Sequence, residues 1–175
     1  LAAFERKGKR GFNSSLYNSD KFLELIPFGT VPAAFSPDGS VGIFESNSIL
    51  RAIARQDEDG ILYGKDSFEA SRVDSFLDSN LVFSREHQEY LFGLQDMNDF
   101  LYSRMKKAYE FFLNGIEESL KKFKFIGFNH LTIIDISFFC DFSQFLREGH
   151  YEEELKSKGF SLISEKFPED FPKSF

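Results

Sequence analysis

The spacing of hydrophobic residues changes near residue 60. Before that point, apolar residues come in short runs separated by turn residues. After it they recur every three or four positions, which is the period of an amphipathic helix. The pattern predicts an α/β domain at residues 1–59, a short linker, and an all-helical domain at residues 66–175.

The first domain contains the signals of a β-hairpin. A short helical turn at residues 21–25 stops before Pro27. Two apolar runs follow at residues 31–35 and 41–44, and Pro37-Asp38-Gly39 between them is typical of a tight turn. We therefore predict two antiparallel strands.

A helix is predicted directly after the hairpin. Ser46 is a residue type that commonly caps helix N-termini, and we expect it to do so here. The apolar side chains that follow share one helical face, which we expect to be buried. They are Ile49, Leu50, Ile53 and Ala54.

Capping signals open two of the three helices predicted in the second domain. Asp66 with Glu69, and Thr132 with Asp135, each have the spacing of a capping box. The first helix has Val73, Phe76, Leu77 and Leu81 as candidate buried positions. The second is defined by Leu101, Met105, Ala108, Tyr109, Phe112, Leu113, Ile116 and Leu120.

The helix that follows Thr132 is apolar on almost every side. We therefore expect it to run through the middle of a helical bundle. Its apolar residues are Ile133, Ile134, Ile136, Phe138, Phe139, Phe142, Phe145 and Leu146. Cys140 lies among them, and we expect a buried, unreactive thiol.

Composition narrows the possible partners. The chain of 175 residues is 42% hydrophobic with a formal net charge of -7, so it has no basic field for nucleic acid or anionic lipid. Its apolar runs are shorter than the roughly 20 residues that cross a bilayer. One cysteine excludes an internal disulfide and is typical of a reducing compartment. We expect a soluble, cytoplasmic protein with no membrane or nucleic-acid partner.

Two short segments around the hairpin suggest a binding site. Pro32 has no N–H and is typical of a sheet edge or a cis bond, which leaves the backbone of Val31 able to pair with an extended ligand. Glu45 and Ser46 stand at a helix N-terminus, where the helix dipole attracts a carboxylate. Each feature alone is common in proteins. Together they predict a site for a small extended peptide with an acidic end.

These segments resemble the hallmark of the glutathione transferase superfamily. They read Ile26-Pro27-Phe28-Gly29-Thr30-Val31-Pro32 and Glu45-Ser46-Asn47-Ser48-Ile49. The resemblance implies a thioredoxin-like domain in which Pro32 is cis. It also implies that Val31 pairs with the cysteinyl part of glutathione and that Glu45 and Ser46 hold the γ-glutamyl carboxylate.

The second domain carries a further resemblance to that superfamily. Residues 125–135 look like the segment that opens the central helix of its all-helical C-terminal domain. The first strand and first helix, where relatives keep a catalytic Ser, Tyr or Cys, do not occur in this sequence. The thioredoxin-like domain is therefore expected to be incomplete, with its N-terminus missing before Leu1 and the catalytic residue unknown.

Three functions follow from the resemblance. The first is conjugation of the glutathione thiol to an apolar electrophile, with glutathione as co-substrate and no other cofactor, by a homodimer. The second is a non-enzymatic interaction module like that of the translation elongation factor one gamma subunit. The third is a glutathione-dependent reductase, which needs a catalytic Cys in the absent first helix. Fold alone does not separate them.

A few other residues have candidate roles. The aromatic side chains Phe83, Tyr90, Phe92 and Tyr102 can line an apolar second-substrate pocket, although ordinary packing is the commoner role for such residues. The three histidines have no metal-ligand spacing with one another or with Cys140, so we predict no metal site. They are His87, His130 and His150.

Overall fold

The computed structural model describes residues 19–175. The chain divides into two compact units, Leu1–Gln56 and Asp57–Phe175, and each is considered by itself. The domain limits given above, 1–59 and 66–175, remain predictions. The absent first strand and the segment before residue 19 lie outside the described residues.

The first unit contains the predicted hairpin between two helices. The strands are antiparallel, with Ala34 opposite Ile43, so the hairpin prediction is confirmed. The first helix begins after Ser19, whose hydroxyl accepts the N–H of Phe22 at 3.4 Å. The elements are α1 (Asp20–Leu25), β1 (Ala33–Phe35), β2 (Gly42–Phe44) and α2 (Ser46–Ala54).

A glycine lets the hairpin approach α1 closely. A Cβ atom at Gly42 would lie 2.8 Å from the side chain of Ile26 and 2.9 Å from the carbonyl carbon of Leu25. Those distances are well inside van der Waals contact, and Ile26 is fully buried. Only a residue without a side chain fits β2 at this point.

The hairpin turn is organised by one carboxylate. Asp38 accepts hydrogen bonds from the hydroxyls of Ser36 at 2.6 Å and Ser40 at 2.8 Å, and from the Ser40 N–H at 3.1 Å. Because these donors favour the ionised form, they lower the pKa of Asp38 from 3.8 to about 2.

The turn is therefore expected to weaken in acid. The pKa of Asp38 is lower in the folded protein than in the unfolded chain, so as the pH falls the unfolded chain binds a proton at Asp38 before the folded protein does. The stabilisation is therefore present above pH 3.8 and is lost as the pH falls through about 2. The amide chemical shifts of Ser40 and Val41 should report this loss in an acid titration. An Asp38→Asn variant should lack the transition; an unchanged titration in that variant would assign it to another group.

The second unit is helical throughout its described elements. Its longest helix, α3, packs against both α4 and α5. The α-helices are α3 (Ser67–Phe92), α4 (Asp99–Leu120), α5 (Ile133–Phe145), α6 (Glu152–Ser157) and α7 (Phe167–Asp170), with 3₁₀ turns at Leu94–Asp96 and Leu146–Tyr151.

The predicted caps occur where expected, with one difference. The Thr132 N–H donates to Asp135 at 2.9 Å, and the Thr132 hydroxyl accepts from Ile134, so this capping box is confirmed. Asp66 caps α3 as predicted, accepting two backbone N–H groups. The carboxylate of Glu69, however, accepts the N–H of Lys65 at 2.8 Å.

The core of the second unit is built from stacked aromatic rings. Phe83 of α3 stacks on Phe112 of α4 with ring centroids 4.6 Å apart, and it contacts Phe142 and Phe145 of α5. Val73 and Leu77 are fully buried as predicted, whereas Phe76 and Leu81 are half-buried. The three long helices therefore meet along one side of each helix.

Three burial predictions are wrong. One side of α5 is exposed, including Phe139 at 69% and Cys140, so the helix is not enclosed on every side and the thiol is not buried. On α2, Ile53 is 62% exposed although Ala54 is buried. An apolar pattern shows which residues can be buried, but packing partners decide which of them are.

Candidate functional site

The hairpin brings the two predicted site segments together. Pro32 immediately precedes β1, and Glu45 immediately follows β2. Ala33 is paired with Phe44, so the start of β1 and the end of β2 lie side by side. All four predicted residues therefore lie at one end of the hairpin.

Val31 presents a backbone suited to an extended ligand. The Val31–Pro32 peptide bond is cis, as the resemblance implies. Neither the N–H nor the C=O of Val31 hydrogen-bonds to a residue in the range 19–175. Backbone groups of this kind are what a peptide uses when it adds to the edge of a sheet.

Glu45 has an unusual backbone conformation. Its φ of 67° lies in the left-handed region, which side-chain-bearing residues seldom occupy. Such a conformation costs on the order of 1–3 kcal/mol, and residues strained in this way cluster at binding and catalytic sites. The side chains of Glu45 and Ser46 are both exposed to solvent.

The N-cap of α2 is Glu45 and not Ser46, so that prediction is wrong. The backbone C=O of Glu45 accepts the N–H groups of Ser48 at 3.0 Å and Ile49 at 3.1 Å, which makes Ser46 the first helical residue. The Ser46 N–H therefore precedes the first hydrogen bond of the helix and lies at the positive end of its dipole. This geometry suits an anionic ligand group.

Two neighbouring residues had no role in the sequence prediction. The exposed ring of Phe28 packs edge-on against Phe44, with centroids 5.3 Å apart, so an apolar surface lies beside the segment. The hydroxyl of Thr30 is buried and has no hydrogen-bond partner within residues 19–175. Thr30 precedes Val31 in the motif, but nothing in its residue type indicates that its hydroxyl is unpartnered.

The four aromatic residues proposed for a second-substrate pocket differ in their surroundings. Phe83 and Tyr90 are buried in its core. Tyr102 stacks on Phe160 with centroids 4.8 Å apart, and its hydroxyl donates to the C=O of Ser161 at 3.1 Å. Phe92 is partly exposed at the end of α3. Ordinary packing accounts for Phe83 and Tyr90.

His87 and His130 lie in different surroundings within the helical unit. His87 is buried beside Phe83, with its Nε2 3.8 Å from a carboxylate oxygen of Asp141, and His130 stacks on Phe128. Within residues 19–175, no three His, Cys, Asp or Glu side chains are arranged to hold a metal ion. In the same range, no helix combines the length and apolar character needed to span a membrane.

Comparison with known proteins gives sequence relatives over part of the chain. No protein-family model matches it. Elongation factor 1-gamma 1 of Oryza sativa subsp. japonica is 38% identical over 58 residues, which is 33% of this chain and 13% of the relative. Elongation factor 1-gamma of Prunus avium is 27% identical over 129 residues, which is 69% of this chain and 29% of the relative. The matched regions thus span less than a third of either relative.

Solved structures match more of the chain. A glutathione S-transferase of Methylobacillus flagellatus KT with glutathione bound has a TM-score of 0.64 at 15% identity, covering 87% of this chain and 70% of its own. Glutathione transferase F2 of Populus trichocarpa has a TM-score of 0.59 at 20% identity, covering 90% and 79%. The chain therefore has the glutathione transferase fold: part of a thioredoxin-like domain followed by an all-helical domain, as predicted.

Proposed function

We propose that this chain forms the larger part of a glutathione transferase that joins the thiol of reduced glutathione to an apolar electrophile. The main support is the end of the hairpin, where the cis Val31–Pro32 bond precedes β1 and Glu45 and Ser46 follow β2. Its Val31 backbone suits an extended peptide, the start of α2 at Ser46 suits a carboxylate, and both occur in a glutathione transferase fold.

Each proposed site residue has a separate task. The Val31 N–H and C=O pair with the backbone of the cysteinyl residue, and the cis bond to Pro32 turns those groups toward the ligand. The Ser46 N–H and hydroxyl bind the γ-glutamyl carboxylate at the start of α2. The Glu45 carboxylate repels that group, so we assign it to the neighbouring ammonium group of the γ-glutamyl residue.

The site residues position glutathione and leave the thiol chemistry to another group. In the proposed reaction the thiol loses its proton to solvent, and the thiolate sulfur forms a bond to the electrophilic carbon. A leaving group departs with its electron pair, or an activated double bond takes up a proton. The residue that lowers the thiol pKa is not identified, so the catalytic residue remains unknown.

Several broader assignments accompany this function. We propose a cytoplasmic homodimer that detoxifies apolar electrophiles. We propose no cofactor beyond glutathione as co-substrate, no metal and no membrane partner. The net charge of -7 supports the exclusion of nucleic acid as a partner.

The alternative is a non-enzymatic interaction module like the corresponding region of the elongation factor 1-gamma proteins. The identities to the rice and cherry proteins favour this reading. An interaction module has no requirement for glutathione. Glutathione binding therefore separates the two functions.

We expect reduced glutathione to bind saturably to the full-length protein in a calorimetric titration. A Glu45→Ala/Ser46→Ala variant should bind about 100-fold more weakly, because it loses two charge-assisted contacts worth roughly 1.5 kcal/mol each. A matched control, Glu110→Ala/Ser103→Ala, changes the same residue types on the exposed side of α4 and should bind normally. Absence of binding by the unmodified protein would contradict the transferase and favour the interaction module.

A further inference from the structure

We draw no further inference here: the strongest candidate, the apolar groove of about 460 Å³ between α3 and α4, carries no proposal because nothing in the part of the chain that the structure describes shows what covers it.

Discussion

Replacing Phe83 with alanine is expected to lower the free energy of unfolding by about 3–5 kcal/mol. The Phe83 side chain is 1% exposed and lies where α3, α4 and α5 meet. Its ring stacks on Phe112 and contacts Phe142 and Phe145. Alanine removes all of these contacts and leaves a cavity that three packed helices cannot close.

Chemical denaturation followed by circular dichroism measures this loss. Phe68→Ala is the matched control, because Phe68 stands on the same helix but is 86% exposed, and it should change the free energy by less than about 0.5 kcal/mol. Equal effects of the two substitutions would show that α3 does not pack against α4 and α5 through Phe83.

The second large effect is expected from a buried carboxylate. Glu148 is fully buried and accepts hydrogen bonds from the Tyr90 hydroxyl at 2.8 Å, the Ser164 N–H at 2.7 Å and the Ser164 hydroxyl at 2.6 Å. Glu148→Ala leaves these donors without their acceptor. A stranded buried donor costs about 1–3 kcal/mol, and because Tyr90 is buried while Ser164 is half-buried, we expect a total loss of about 3 kcal/mol.

Two further variants distinguish lost hydrogen bonds from lost volume. Glu148→Gln keeps the size of the side chain and one acceptor oxygen, so it should destabilise the protein less than Glu148→Ala. Tyr90→Phe removes one of the three donors and should also cost less. A Glu148→Ala protein as stable as the unmodified one would contradict the assignment of Glu148 as a link between α3 and the segment at Ser164.

Much of the fold follows from local sequence signals. The hairpin depends on two apolar runs and the turn at Asp38, and α5 begins where Thr132 and Asp135 form a capping box. These features involve residues within about ten positions of one another. Local chemistry is sufficient to determine them.

The features that sequence could not predict depend on distant contacts or on backbone strain. Glu148 and Tyr90 are 58 residues apart, and no local pattern indicates that a glutamate is buried. Sequence favours Ser46 over Glu45 as the cap of α2, because serine is a preferred N-cap residue type and glutamate is not. The structure has Glu45 as the cap, with a positive φ that glutamate seldom adopts. The exposure of Phe139 depends on which side of α5 other helices cover.

The candidate site remains a prediction from residue types, and its backbone geometry was visible only in the structure. The residue types at Val31, Pro32, Glu45 and Ser46 suggested the site, and the pairing of Ala33 with Phe44 brings the two segments to one end of the hairpin. The conformation of Glu45 and the buried hydroxyl of Thr30 were found only in the structure.

The central claim is that glutathione binds at the end of the hairpin, and amide chemical shifts recorded during a titration with reduced glutathione test it most directly. Binding at this end should produce saturable shifts of the Val31 and Ser46 amides, with much smaller changes at the Asp38 turn and along α4. Saturable shifts confined to other residues would place the ligand elsewhere. No shift at Val31 or Ser46 at millimolar glutathione would contradict the claim.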